Sequence, residues 1–113
     1  MKKGAHLGEF EELVLLVVCV LYDQAYGVAV KAMIEEQTGR GVKISAVHSA
    51  LHRLEQKGFL RSQMGGATRE RGGRRKRLFE ITRAGRAALV ARREMREHLW
   101  GLIPDLGLDG RLT

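Results

Sequence analysis

The sequence predicts a mainly α fold carrying one small β-hairpin, an α+β arrangement, and three observations lead there. Three helix-patterned apolar stretches, set apart by glycine-bearing turns, fill residues 9–58. Two short strand-compatible runs then flank a segment dense in glycine and arginine. From residue 83 an apolar stripe recurs at helical spacing until Pro104 stops it. A chain of 113 residues has room for one modest core, and is too short for two domains with a substrate cleft between them.

The first helix is expected over 9–22. Glu9, Glu11 and Glu12 bring carboxylates to the positive end of its dipole. The run Leu13-Val14-Leu15-Leu16-Val17-Val18-Cys19-Val20-Leu21 has no polar face. Its valines would suit a strand, but its length and the charged turn before it favour a helix covered on nearly all sides. One small domain cannot surround a helix. A second subunit is therefore expected to cover part of it, with Leu13, Leu16, Val17 and Val20 at the dimer interface. The apolar stretch, 13–22, is too short to span a bilayer.

The second helix is expected over 28–38, where Val30, Met33, Ile34 and Gln37 follow i, i+3, i+4, i+7 spacing and Gly39 and Gly41 end the pattern. The third is expected over 46–57, with Ser45 as N-cap and Gly58 after its end. Val47, Ala50, Leu51 and Leu54 share one side of it. Ser45, His48, Ser49, His52 and Gln56 cluster on the opposite side. Strands are expected over 59–64 and 77–82, the second with Phe79 and Ile81 on one face. The hairpin tip between them sets Arg69, Arg71, Arg74, Arg75, Lys76 and Arg77 beside a single acid, Glu70. The last helix, 83–103, is capped by Thr82 and carries the stripe Ala88, Ala91, Met95, Leu99, Leu102. It would be about 30 Å long. Residues 104–113 read as a loosely ordered tail.

Three helices followed by a basic two-stranded hairpin is the order of a winged helix-turn-helix. Residues 7–82 would form that domain and 83–103 a C-terminal dimerisation helix. The second and third helices make the turn unit, and the third is the reader. Its exposed side is consistent with this. Ser45 and Ser49 permit close approach to a groove, His48 and His52 can donate or accept at base edges or phosphates, and Arg53 lies at the margin. The hairpin cations suit phosphates or a minor groove. Charge points the same way: 20 Lys and Arg against 13 Asp and Glu give a formal net charge of +7, which favours an anionic partner.

Several sharper readings lose to plainer ones. His48 and His52 have the spacing of a helical metal pair, but no carboxylate or cysteine is close in sequence and Glu55 is read as lying on another side, so no metal is expected. Cys19, the only cysteine, excludes an internal disulfide and fits a reducing, cytoplasmic setting. Its apolar neighbours suggest an inert buried thiol. Tyr26 is expected to pack against the first two helices, with Gly27 easing the turn. Trp100 can line an effector pocket between subunits or simply pack in the interface. No Ser-His-Asp order, phosphate-cradling Gly-Lys-Ser/Thr loop or paired acids with a plausible cleft appear, so neither catalysis nor a cofactor is expected. The glycines at 65, 66, 72 and 73 lack the strand–loop–helix setting of a nucleotide site.

With these residues in view, the chain resembles a short PadR-type transcriptional regulator over about residues 7–90. The matching pieces are Leu7-Gly8-Glu9-Phe10-Glu11, Tyr26-Gly27, the segment from Ser45 to Leu60, Gly72-Gly73-Arg74-Arg75-Lys76-Arg77-Leu78-Phe79, and Ile81-Thr82-Arg83-Ala84-Gly85. Leu-x-Arg-Leu-Glu-x-x-Gly, an arginine-rich wing and Ile-Thr-x-x-Gly form a fairly specific series in that order. The resemblance implies a homodimeric, usually repressive regulator that binds double-stranded DNA. In the family the C-terminal helix packs on the partner's first helix and on its own counterpart, and some members bind a small-molecule effector. One departure stands out: His48 occupies a position where the family usually has a DNA-contacting tyrosine. An RNA-binding winged helix and a protein-interaction module are the two alternatives that would use the same surface.

Overall fold

The computed structural model describes residues 6–65 and 76–105. The elements run α1 (Glu9–Leu21), a single 3-10 turn (Tyr22–Gln24), α2 (Gly27–Thr38), α3 (Ile44–Gln56), β1 (Leu60–Met64), β2 (Arg77–Ile81) and α4 (Arg83–Leu102). The order and type of elements are those expected from the sequence.

α1 starts where Glu11 reaches back to accept a hydrogen bond from the Gly8 N–H at 3.2 Å, satisfying one of the free donors of a helix start. Its inner side, Val14, Leu15, Val17 and Val18, packs into a core with Val30 and Ile34 of α2, Val47, Ala50, Leu51 and Leu54 of α3, and Leu60 and Phe79 of the hairpin. The whole inner side of α3 is fully buried, as the spacing predicts. The turn between α2 and α3 is held from within. Glu35 accepts from Lys31 Nζ at 3.1 Å and from the Val42 N–H at 3.0 Å, and these two donors lower its pKa. Gly39 takes the left-handed conformation (φ 74°) that ends α2.

β1 and β2 pair antiparallel, with Leu60 opposite Ile81 and Met64 opposite Arg77. The chain before α2 adds a short third edge: the Phe79 N–H donates to the Ala25 carbonyl at 3.0 Å, and Tyr26 bridges to Leu78. α4 begins as expected at Thr82, whose hydroxyl accepts from the Gly85 N–H at 3.0 Å and donates to the Gly58 carbonyl at 2.6 Å. Gly85 is obligatory for a steric reason, since a Cβ there would lie 2.3 Å from the Phe59 carbonyl oxygen.

Three local expectations are corrected and a fourth is extended. Ser45 does not cap α3. The Lys43 carbonyl already accepts from the Ala46 and Val47 N–H groups at 3.0 and 3.2 Å, so the helix starts at Ile44 and Ser45 sits in its first turn. Val17 is buried in its own core and Leu13 is half-buried against it, which leaves Leu16 and Val20 as the free apolar residues of the proposed α1 face. Cys19 is exposed beside them, because the core covers only one side of the helix. Partial desolvation still raises its pKa, against an opposing effect of Arg86. Tyr26 is in addition placed against the base of the hairpin, with the Lys76 ammonium 4.9 Å from its ring centroid.

Candidate nucleic-acid interface

α3 presents Ser45, His48, Ser49, His52 and Gln56 as one exposed row, because the opposite row is consumed by the core. Arg53, at the edge of that row, is turned toward α1. Its Nε donates to Glu11 Oε2 at 2.7 Å, and Lys57 Nζ donates to Glu11 Oε1 at 2.6 Å. Burial alone would raise the Glu11 pKa; the hydrogen bonds from Lys57, Arg53 and the Gly8 N–H outweigh it and hold the carboxyl at about 2. Glu11 thus locks the α3 C-terminal turn onto α1. Sequence reasoning assigned Glu11 only to the helix dipole, since partners 42 and 46 residues away leave no local pattern.

The hairpin lies alongside the same face. Arg77 Nη1 donates to Ser62 Oγ at 2.9 Å, and Ser62 Oγ donates to Glu55 Oε2 at 2.7 Å, which ties both strands to α3. Between α3 and the hairpin is a polar cleft of about 350 Å³ walled by His48, His52, Glu55, Arg77 and Phe79. Glu55 therefore shares a side with the two histidines, contrary to the sequence reading: seven residues are almost two full turns from His48. Its engagement by Ser62 fits its role as a tie between helix and strand. Among the described residues no group of three or more potential metal ligands is close enough to hold an ion. Of the hairpin cations, Lys76 and Arg77 are at the root; Arg69, Arg71, Arg74 and Arg75 lie outside the described residues.

α4 offers a different surface. Ala88 is half-buried against the core, while Ala91, Met95, Leu99 and Leu102 are exposed, Leu99 at 53% and the neighbouring Trp100 at 62%. A groove of about 660 Å³ runs along this stripe, lined by Leu7, Ala88, Ala91, Met95 and Leu99 with Arg92 and Arg96 at its edge. Arg92 fastens α4 to α1, donating to Glu12 Oε1 at 2.9 Å and to the Leu7 carbonyl at 2.7 Å. No helix among the described residues is long and apolar enough to cross a membrane.

Solved structures share this architecture. A PadR family transcriptional regulator from Eggerthella lenta DSM 2243 is similar over 82% of this chain and 80% of its own, at 23% identity and a TM-score of 0.65. A PadR family transcription regulator from Clostridium difficile R20291 is similar over 80% of this chain and 92% of its own, at 23% identity and a TM-score of 0.59. Bacillus subtilis PadR, in a structure with operator DNA, matches 88% of this chain at 18% identity and a TM-score of 0.60; the match covers 52% of the Bacillus chain. No curated protein matches the chain. The sequence pattern of the transcriptional regulator PadR-like family matches residues 15–91, from the middle of α1 well into α4. A match over most of the chain, on a fold its solved members share, places this protein in the PadR-like family of transcriptional regulators.

Proposed function

We propose that this chain is a homodimeric, sequence-specific regulator of transcription that binds double-stranded DNA and acts as a repressor in the cytoplasm. Residues 7–82 serve as the DNA-binding domain and 83–103 as the dimerisation helix. The observation that carries the reading is the division of α3: one row is fully buried, and the other is a bare row of serines and histidines beside a hairpin whose root is Lys76 and Arg77. α3 enters the major groove, where Ser45, Ser49, His48 and His52 meet base edges or flanking phosphates. The hairpin cations, Arg69 to Arg77, neutralise the backbone or reach the minor groove. Arg53 acts mainly by fixing α3 on Glu11. The Bacillus structure with operator DNA supports the same use of the shared fold.

Dimerisation follows from the apolar surface left over. Leu16 and Val20 on α1 and Met95, Leu99, Trp100 and Leu102 on α4 face water in the single chain. A second copy laying its α1 along the α4 groove removes both faces from water. Trp100 then lies at the subunit boundary, where an effector would be felt by both chains. Selection from random duplex DNA, in competition with a pool of structured RNA, tests the whole reading. The expected result is an inverted repeat with half-sites about one helical turn, or a multiple, apart. Recovery of structured RNA in preference to duplex, or no nucleic acid at all, would overturn it in favour of the RNA-binding or protein-binding alternative.

A further inference from the structure

Gly27, the first residue of α2, is buried beneath His48 of α3. A Cβ at position 27 would lie 2.6 Å from His48 Cε1, 3.2 Å from Nδ1 and 3.3 Å from Nε2. The Cε1 side of the imidazole ring therefore lies over the bare glycine, with its two nitrogens almost equally far from the would-be Cβ. Neither nitrogen has a hydrogen-bond partner among the described residues. The ring also forms one wall of the cleft that His52, Glu55, Arg77 and Phe79 complete. α2, α3 and β2 thus converge on a side chain that the core does not use.

We infer that Gly27 is a positioning residue for DNA recognition: by lacking a side chain it seats the His48 imidazole between the α2 start and the hairpin, with both ring nitrogens available to the duplex. The inference rests on the DNA-binding reading above. It separates recognition from stability in a way an ordinary buried glycine does not. The crowding atoms belong to the tip of an exposed side chain, so an added methyl displaces the ring instead of straining the backbone. Gly27 has no positive φ, and alanine suits a helix better than glycine.

The test is a double-mutant cycle of Gly27→Ala and His48→Ala, read on the duplex recovered by selection, with thermal unfolding and the His48 Cε1–H NMR resonance of the free protein. Gly27→Ala is expected to shift that resonance, leave Tm unchanged or raised, and weaken binding about tenfold, the weight of one good groove contact. His48→Ala should lose a similar factor, and the double variant no more than His48→Ala alone. If Gly27→Ala weakens binding equally with and without His48, or loses affinity only in step with Tm, the inference is overturned. If both single variants bind normally while Ser49→Glu abolishes binding, the inference fails and the DNA-binding reading survives. If the wild-type chain recovers no duplex, both fall.

Discussion

Glu11 concentrates several interactions in one carboxylate. Its folded pKa of about 2, against an ordinary 4.5, means that its contribution to stability is fully present above about pH 4.5 and is lost as the pH falls toward 2. At 1.36 kcal/mol per unit this amounts to at most about 3 kcal/mol, less whatever solvent removes through the half-exposed Arg53. Glu11→Gln should lose much of that near neutral pH and flatten the fall in stability between pH 4.5 and 2, as urea unfolding across that range would show. Gly85 makes a different kind of demand. Its would-be Cβ meets the Phe59 carbonyl, a backbone atom fixed by its hydrogen bond from the Thr82 N–H at 3.0 Å. Gly85→Ala should therefore destabilise the fold by about 1–3 kcal/mol, visible as a lowered thermal midpoint. The two crowded glycines, Gly27 and Gly85, thus differ in outcome because one faces a mobile ring and the other a carbonyl.

At the level of elements, α3 shows what periodicity can reveal. Val47, Ala50, Leu51 and Leu54 repeat at helical spacing with polar residues between them, so the pattern carried its own phase, and both faces were legible. α1 did not allow this: an unbroken apolar run has no phase, so nothing in it told Val17, which is buried, from Leu16 and Cys19, which are not. A different limit hid the inward tilt of Arg53: its partner is on another helix, 42 residues away. Glu55 returns to the histidine side because seven residues are almost two full turns, and the bridge from Tyr26 to β2 depends on tertiary pairing that no local pattern carries. The exposed face of α3, proposed as the reader, yields a direct expectation. Ser49→Glu or His52→Ala should reduce specific binding by about 1–3 kcal/mol or more while leaving the melting curve nearly unchanged; normal binding by Ser49→Glu would remove α3 from the role. For the hairpin, replacing Arg74 and Arg75 with alanine should weaken all sequences alike and flatten the dependence of log affinity on log salt by about 0.9 for each phosphate no longer neutralised. An unaltered slope would mean that those two side chains touch no phosphate.

In the whole molecule the proposed dimer would make the apolar surfaces of α1 and α4 link assembly to recognition. Leu99→Asp places a charge in the stripe, and is expected to lower both the mass seen in sedimentation and the affinity for a palindromic duplex, although residue 99 is on α4 and outside the α3 row proposed to meet DNA. A wild-type chain that is monomeric at micromolar concentration yet binds fully would contradict the architecture. The first turn of α1 carries a further consequence. Glu11 grips Arg53 and Lys57 of α3, and its neighbour Glu12 grips Arg92 of α4, with Arg96 at 3.6 Å. Two successive residues, pointing about 100° apart, thus fasten α3 and the long arm α4 to the same shaft. The angle between them is a gear setting fixed by helical phase. Inserting one residue between Glu11 and Glu12 would turn one grip by a further step of about 100°. In the proposed dimer that would re-aim both copies of α3 and is expected to change the half-site spacing selected, without altering a side chain of the α3 row proposed to face DNA.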